Sequence, residues 1–387
     1  MQSVALGVYI AEKTHNDIWL GLLTLAAWMP AIVGSPLGGV MADRFSRQRW
    51  IQANNFVMAV TASLLATAEL THHLSLQLAC YLAIIEGLCS SMSWAAWQSL
   101  LRDMVDKDEV LAAVSLSSAQ FNLGRIIGPA LAGVAIGVGS TGWCFALNAA
   151  SFIFVVVIFS FVKSPARERV LTKVRVWAET VVGARVAWSV KGCRNPIIGV
   201  GTVALIASPF ITLVPAMAVH TLHAGKVGTA WLVGAQGVGA VIGAVTLPEV
   251  AKRTSRLAVL RGSIWALALA EALYALAPTL QLSILALALL GGAYVGTLSG
   301  LNTSVQLHAP VGERSRILAL YTLSLSILYP IGATIQSAIA TVWGVRAVTL
   351  GAAAIMGLVL LAVSIFMPEF WTEIGPPPSE QVNLLAD

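Results

Sequence analysis

Three observations predict an all-α membrane protein built as two six-helix bundles. Of 387 residues, 57% are hydrophobic and only 11% are charged, with a mean hydropathy of +0.82. A soluble domain of this size does not carry so much apolar surface. The chain also divides into about twelve apolar runs, and its basic residues fall almost entirely at alternate ends of those runs.

The runs lie near 1–11, 18–42, 50–70, 75–100, 111–138, 142–162, 196–220, 228–250, 258–277, 281–303, 315–341 and 346–367. All but the first reach the roughly 20 residues that cross a hydrocarbon core. At 1.5 Å per residue, Met1–Ala11 reaches only about 16 Å, half a bilayer. The first span is therefore expected to be truncated, either because the chain starts late or because the helix is a stump. Turns carrying Gly, Pro or His separate the runs, with one exception. Lys163–Asn195 holds eight Lys/Arg and two Glu among 33 residues. Its Val170–Lys191 portion places Val174, Trp177, Val181 and Val182 on one side of a helix suited to a membrane surface. The expected organisation is a first six-helix bundle over 1–162, a basic cytoplasmic linker over 163–195, a second bundle over 196–368 and a disordered tail over 369–387.

Orientation follows from the distribution of cations. With the 43–49 turn placed in the cytoplasm, Lys13, Lys226 and Arg346 fall outside and Arg125 lies within a span. The remaining 19 of 23 Lys/Arg are cytoplasmic. The sequence pI of about 9.2 is thus a topology signal, and no nucleic-acid partner is expected. The C-terminus is placed in the cytoplasm. Four cysteines, Cys80, Cys89, Cys144 and Cys193, show no metal or redox spacing. His72–His73 and the His220/His223 pair sit at span ends, where hydration explains them better than a metal. No cofactor is expected. Neither a phosphate-binding loop, HExxH nor a nucleophile elbow occurs, so an enzyme is not expected.

The run around Ser118–Gly133 organises the rest. It carries Arg125 near its middle and the ladder Gly124, Gly128, Ala132 at four-residue spacing, which lets a second helix approach closely. Pro129 removes an internal hydrogen bond and bends the helix. A cation at that depth faces a partner or a water-filled cavity. A packed, bent helix that is polar on one side suits a moving part.

Few other ionisable groups lie inside the spans. Glu86 is midway along the fourth run and shares a helix face with Ser90, Ser93 and Trp97. Ser118, Asn122 and Arg125 share a face on the fifth. Glu86 and Arg125 lie at one depth on antiparallel neighbours, where an unpaired charge is costly. Two readings follow. In one they form a pair, better suited to a structural tie than to carrying protons; in the other Arg125 lines the cavity alone and attracts an anion. Glu271, in the ninth run, is expected to snorkel or to face a neighbouring helix, and Glu69 to be interfacial. Gln98, Gln120, Asn148, Gln236, Asn302, Gln306 and Gln336 are expected to bond between helices, a few of them lining the cavity. Trp19, Trp143 and Trp343 fit an aromatic belt, whereas Trp28, Trp94 and Trp97 lie deep enough to stack on a ligand.

Several of these stretches resemble the major facilitator superfamily. Gly124, Gly128-Pro129 and Ala132-Gly133 are similar to its antiporter motif, with Ala132 in place of a glycine. Between the second and third runs, Gly39, Asp43, Arg44 and Arg47 resemble its loop signature, with Ser46 in place of a glycine and the last base shifted to Arg49. The equivalent turn of the second half, Pro248–Arg256, keeps the bases but not the Asp-Arg pair. The stretches Ala95–Ser151 and that following Pro310 are similar to the enterobactin-exporter-like branch, which includes siderophore and macrolide efflux permeases.

This resemblance implies two parallel six-helix repeats and export of a small amphiphilic compound by alternating access, driven by proton entry. It makes Gly39, Asp43, Arg44 and Arg47 a cytoplasmic gate together with Asp103, with Asp43 meeting the start of the eleventh span near Arg314; the loop order brings Arg47 and Asp103 to one membrane surface. The candidate substrate or coupling residues are Glu86, Arg125, Asn122, Trp28, Gln236, Asn302 and Gln336. The expected partners are a small-molecule substrate, protons and the lipid bilayer of the bacterial inner membrane, with the protein a monomer. Import of a small solute, or a non-transporting remnant or scaffold with a disabled first helix, are the alternatives.

Overall fold

Prolines and small polar caps decide where the apolar runs bend and start. The computed structural model describes residues 1–106, 140–162, 184–310 and 313–375 and scattered positions between 109 and 136, without the side chains of Asp43, Arg102 and Ser315. The first half contains α1 (Gln2–Lys13), α2 (Ile18–Trp28), α3 (Ala31–Arg44), α4 (Arg47–Leu70), α5 (Leu76–Asp103) and α6 (Thr141–Phe161). Helical positions between 112 and 136 supply one more pass. The second half contains α7 (Lys191–Thr202), α8 (Phe210–Ala216), α9 (Gly225–Arg253), α10 (Arg256–Leu276), α11 (Leu280–His308), α12 (Arg314–Trp343), α13 (Val345–Phe366) and the short α14 (Glu369–Ile374).

The second predicted run is split at Met29-Pro30 into α2 and α3, because proline at position 30 has no amide hydrogen to continue the ladder. The seventh is one long pass from Lys191 to Thr221, interrupted by π-helical turns at Val203–Ala207 and Met217–Thr221. Each lies beside a proline, Pro209 or Pro215, and the Ser208 amide reaches back to the Val203 carbonyl at 2.8 Å. Elsewhere a hydroxyl starts the helix. Ser75, Ser255 and Thr279 accept from the amides of Leu78, Ala258 and Leu282, satisfying donors that a helix start leaves free.

Nine helices or joined helix pairs among the described residues are long and apolar enough to cross a membrane. With α4, the partly described pass between 112 and 136, and α1, whose 12 residues reach only about 18 Å as expected of a truncated span, the chain has about twelve membrane segments. The side chains turned outward are apolar, such as Phe154, Phe161, Val245 and Phe366 at 65, 79, 71 and 80% exposed. Such a belt is tenable against lipid and not against water.

Contact between helices depends on missing side chains. A Cβ on Gly38 of α3 would lie 2.6 Å from the Met92 Cα of α5, and one on Gly243 of α9 would lie 2.8 Å from the Gly292 Cα of α11. Both pairs join helices of one half at backbone-to-backbone range.

Two expectations need correction. Residues 369–374, assigned to a disordered tail, form α14, in which Trp371 and Ile374 are buried. The Ile374 carbonyl accepts from the Ser304 hydroxyl at 2.8 Å, and Glu373 accepts from Asn195 at 2.6 Å and from Lys191 at 2.5 Å. Trp371 donates to the Ser364 hydroxyl at 3.3 Å and lies under the Arg261 guanidinium at 5.3 Å, contacts that outweigh the polar, proline-rich composition that follows it. The linker also ends sooner than expected: positions 184–189 are helical and α7 begins at Lys191. Buried Cys193 and Asn195 anchor that polar turn, which hydropathy alone assigns to a loop. The Val170–Lys191 surface helix lies largely outside the described residues.

Candidate functional site

The junction between the two halves is the candidate site, and among the described residues its polar contacts cluster toward one face. Near its middle, the Thr24 hydroxyl of α2 lies 3.1 Å from that of Thr212 on α8, which lies 3.0 Å from the Tyr329 hydroxyl of α12. Trp28 meets the Tyr329 ring edge-on at 5.4 Å between centroids, yet is 42% exposed. Beyond this layer, Thr334 donates to the Gly21 carbonyl at 3.1 Å and Thr341 to Asn16 at 3.2 Å. At the rim, a His220 ring nitrogen lies 3.1 Å from an Asp17 carboxylate oxygen and the other lies 2.8 Å from the Ala11 carbonyl. Every one of these contacts lies at mid-depth or toward the ends of α2 and α12 away from the basic turns at 44–49, 252–256 and 314–316. The halves are held together at that face.

Asp17 is 4% exposed. Burial pushes its carboxyl above the usual range, partly offset by His220 and then His15. The His15 and His220 rings lie 4.7 Å apart.

Glu86 on α5 accepts from Gln2 of α1, and the Gln2 side-chain oxygen accepts from Asn148 of α6 at 2.6 Å. This chain ties three helices of the first half through Gln2, 6% exposed. Sequence reasoning did not single out Gln2; an amide within an otherwise apolar first run was the available signal. Arg125, the expected partner of Glu86, lies outside the described residues, as do Asn122, Pro129 and Gly133. Gly124 and Gly128 are helical. A Cβ on Gly128 would lie 3.5 Å from the Met1 nitrogen, so this helix passes close to the start of α1.

At the basic face, Arg47 pairs with Asp103, and its guanidinium also reaches the Ser99 carbonyl at 3.4 Å. Gln52 donates to Val156 at 3.1 Å and to Ser160 at 3.0 Å. The start of α4 is therefore tied to the ends of α5 and α6. Gly39 and Arg44 lie in the last turns of α3, and Asp43 is described in backbone only.

The remaining candidates lie apart from this junction. Gln336 donates to the Ile206 carbonyl at 2.6 Å, within the first π turn. Asn302 accepts from Gln306 one turn on along α11. Gln236 presents its backbone to Gly291 where α9 and α11 cross. Glu271 is fully buried, and neither of its oxygens has a hydrogen-bond partner among the described residues. Thr24, Thr212 and Tyr329, which do meet at the junction, were not singled out, since isolated hydroxyls in apolar runs carry no distinctive spacing.

Comparison with known proteins agrees with this architecture. The family model MFS_3, described as transmembrane secretion effector, matches residues 1–381. The enterobactin exporter EntS of Citrobacter koseri is 25% identical over 391 residues, covering 97% of this chain and 89% of that protein. The same exporter from Shigella flexneri is 26% identical over 323 residues, 82% of this chain and 76% of that one. Among solved structures, a bacterial homologue of the human lysosomal transporter Spinster, inward-facing and occupied, has a TM-score of 0.72 at 14% identity, covering 97% of this chain and 95% of that one. The nucleoside transporter NupG has a TM-score of 0.69 at 12% identity, covering 95% and 96%. At these identities the solved structures bear on the fold alone.

Proposed function

Because the chain belongs to the MFS_3 family of transmembrane secretion effectors within the major facilitator superfamily, we propose that it exports a small amphiphilic compound, siderophore-like or drug-like, from the bacterial cytoplasm in exchange for protons. Similarity to enterobactin exporters along 97% of the chain supports the direction and the substrate class. The observation that carries the mechanism is that, among the described residues, the hydrogen bonds and ion pair joining the halves fall on one side of the junction. With the basic turns in the cytoplasm, these contacts close the outer face, which supports reading this arrangement as the inward-facing arm of an alternating-access cycle.

Substrate enters from the cytoplasm and meets the junction under Thr24, Thr212 and Tyr329, where the exposed Trp28 offers a stacking surface. Breaking the Gly21–Thr334 and Asp17–His220 contacts opens the outer face. Gly39, Asp43, Arg44, Arg47 and Asp103 then close the inner one, with Asp43 approaching the positive start of α12. The bent helix bearing Gly124, Gly128, Pro129 and Gly133 accommodates the swing. Arg125 and Asn122 beside Glu86, with Gln236, Asn302 and Gln336 in the second half, supply polar contacts along the path. The protein works as a monomer with its C-terminus in the cytoplasm.

The test is transport in vesicles of both orientations with the proton gradient imposed in either sense. Export predicts accumulation in inverted vesicles acidified inside, with siderophore-like and drug-like compounds as candidates. Accumulation only in right-side-out vesicles would make it an importer, and no gradient-dependent flux of any compound retained by deletion cells would end the transporter reading.

A further inference from the structure

His220 sits where the outer ends of the two halves meet, with an acceptor at each ring nitrogen. One nitrogen meets the Ala11 carbonyl at 2.8 Å; the other lies 3.1 Å from the Asp17 carboxylate. The second contact is in ion-pair range, although its angle is poor for a hydrogen bond. A neutral imidazole carries one N–H and one lone pair. With its N–H on the carbonyl of Ala11, its lone pair would oppose a carboxylate oxygen in a site where Asp17 is 4% exposed. That juxtaposition is repulsive unless a further proton lies on the ring or on the carboxyl. Apart, with the outer face open, a hydrated imidazole is mostly neutral and a hydrated carboxylate ionised at neutral pH.

The geometry points to a proton-binding site formed by His220 and Asp17 at the outer junction, which takes up one proton when that face closes. It rests on the alternating-access reading above and adds to it the group that binds a proton from outside. Closure then becomes more favourable as the outer pH falls, by up to tenfold in the closed-to-open ratio per pH unit over the range in which the open site is unprotonated. At the acid extreme the carboxylate itself takes a proton and the ion pair is lost. Because burial raises the proton affinity of Asp17, that limb begins above the ordinary aspartate range near 3.9.

The other titratable and charged groups at this end are accounted for by element. On α1, Glu12 and Lys13 are exposed, and Lys13 lies over the Tyr9 ring at 5.7 Å. The His15 ring lies tilted against that of His220 at 4.7 Å between centroids, whereas His223, past the second π turn, is exposed. Lys226 begins α9. Arg346 of α13 donates to the Ala277 carbonyl at 2.6 Å. Toward α12 the contact is neutral, Thr341 with Asn16. Asp17 is the acceptor that bridges the halves to His220.

The test uses the full chain in lipid nanodiscs with the four cysteines replaced by alanine. Spin-label pairs at Thr71 and Val342 report the outer face, and pairs at Phe45 and Val250 the basic one. Between about pH 6 and 8.5 the closed-to-open ratio is expected to fall with rising pH, approaching tenfold per unit at the steepest point. Asp17→Asn and His220→Gln, the latter still able to donate to Ala11, are expected to flatten that response to less than about twofold per unit. Gly21→Leu, which forces α2 from α12, serves as the opening control. If the control opens the outer face but the wild-type ratio is flat with pH, or keeps its slope in His220→Gln, the site is rejected. If the control and pH both leave the outer distance unmoved, it is alternating access that fails.

Discussion

The Thr334 hydroxyl on α12 donates to the Gly21 carbonyl on α2 at 3.1 Å, and a Cβ on Gly21 would lie 2.5 Å from the Thr334 Cα. The two halves of the protein thus meet at backbone range through a residue with no side chain, at a point one helical turn from the Thr24–Thr212 contact. Small residues give close contact between helices and a large gain in dispersion. They also make the contact easy to disrupt.

Replacing Gly21 with leucine is expected to favour the outward-open state. Overpacking costs about 1–3 kcal/mol, which shifts a two-state ratio by roughly 5- to 150-fold. Labelling of a cysteine at Thr24 by a membrane-impermeant reagent from outside should rise accordingly. Unchanged labelling in a folded variant would show that this joint does not hold the face shut.

The Arg47–Asp103 pair predicts a charge-reversal pattern at the opposite face. Both side chains are less than one-fifth exposed, so loss of either partner should lower stability by about 1–3 kcal/mol. Asp103→Arg and Arg47→Asp are each expected to lower the melting temperature in detergent. The double exchange should recover most of that loss, and a double variant as unstable as the worse single one would count against the pairing.

Gln2 predicts how α1 is tied to its neighbours. Gln2→Leu removes both the donor to Glu86 and the acceptor for Asn148, at an expected cost of about 1–3 kcal/mol. Gln2→Glu should be worse at pH 7.5, where two carboxylates would face each other, and milder at pH 5. Thermal denaturation at both pH values measures this. A charge exchange of Glu86→Arg with Arg125→Glu separately tests whether those two also pair, by asking whether transport returns above either single variant.

Docking of α14 predicts a window of pH. The Lys191 ammonium holds the Glu373 carboxyl below its usual value, aided by Asn195. A depressed carboxyl stabilises the docked form above the free glutamate value, about 4.3, and that contribution is lost as pH falls through the lower, docked value. Hydrogen exchange of the amides at 369–375 should thus stay slow at pH 5 and 7, after correction for intrinsic rates, and quicken only in stronger acid. Glu373→Gln should exchange faster at pH 7. Equal protection in that variant would mean that Trp371 and Ile374 hold the helix alone.

The sequence alone determined the membrane setting, about twelve passes and the family, because each is written in local signals that survive without knowing any contact. Apolar length sets a span, and Gly39–Arg47 and Gly124–Gly133 carry their pattern within a few residues. Arg47 and Asp103 could be put together in advance because both close adjacent loops on one surface. Tertiary structure alone decided the rest. Thr24, Thr212 and Tyr329 come from three separate helices, as do Gln2, Glu86 and Asn148, and no spacing along the chain records those meetings. The seating of Trp371 and the pairing of Asp17 with His220, 203 residues apart, likewise depend on which helix ends converge. In lipid, apolar helices gain little from hiding apolar faces from one another. Their arrangement is therefore set by close fit at positions such as Gly21 and by a few polar contacts, and both exist only between helices.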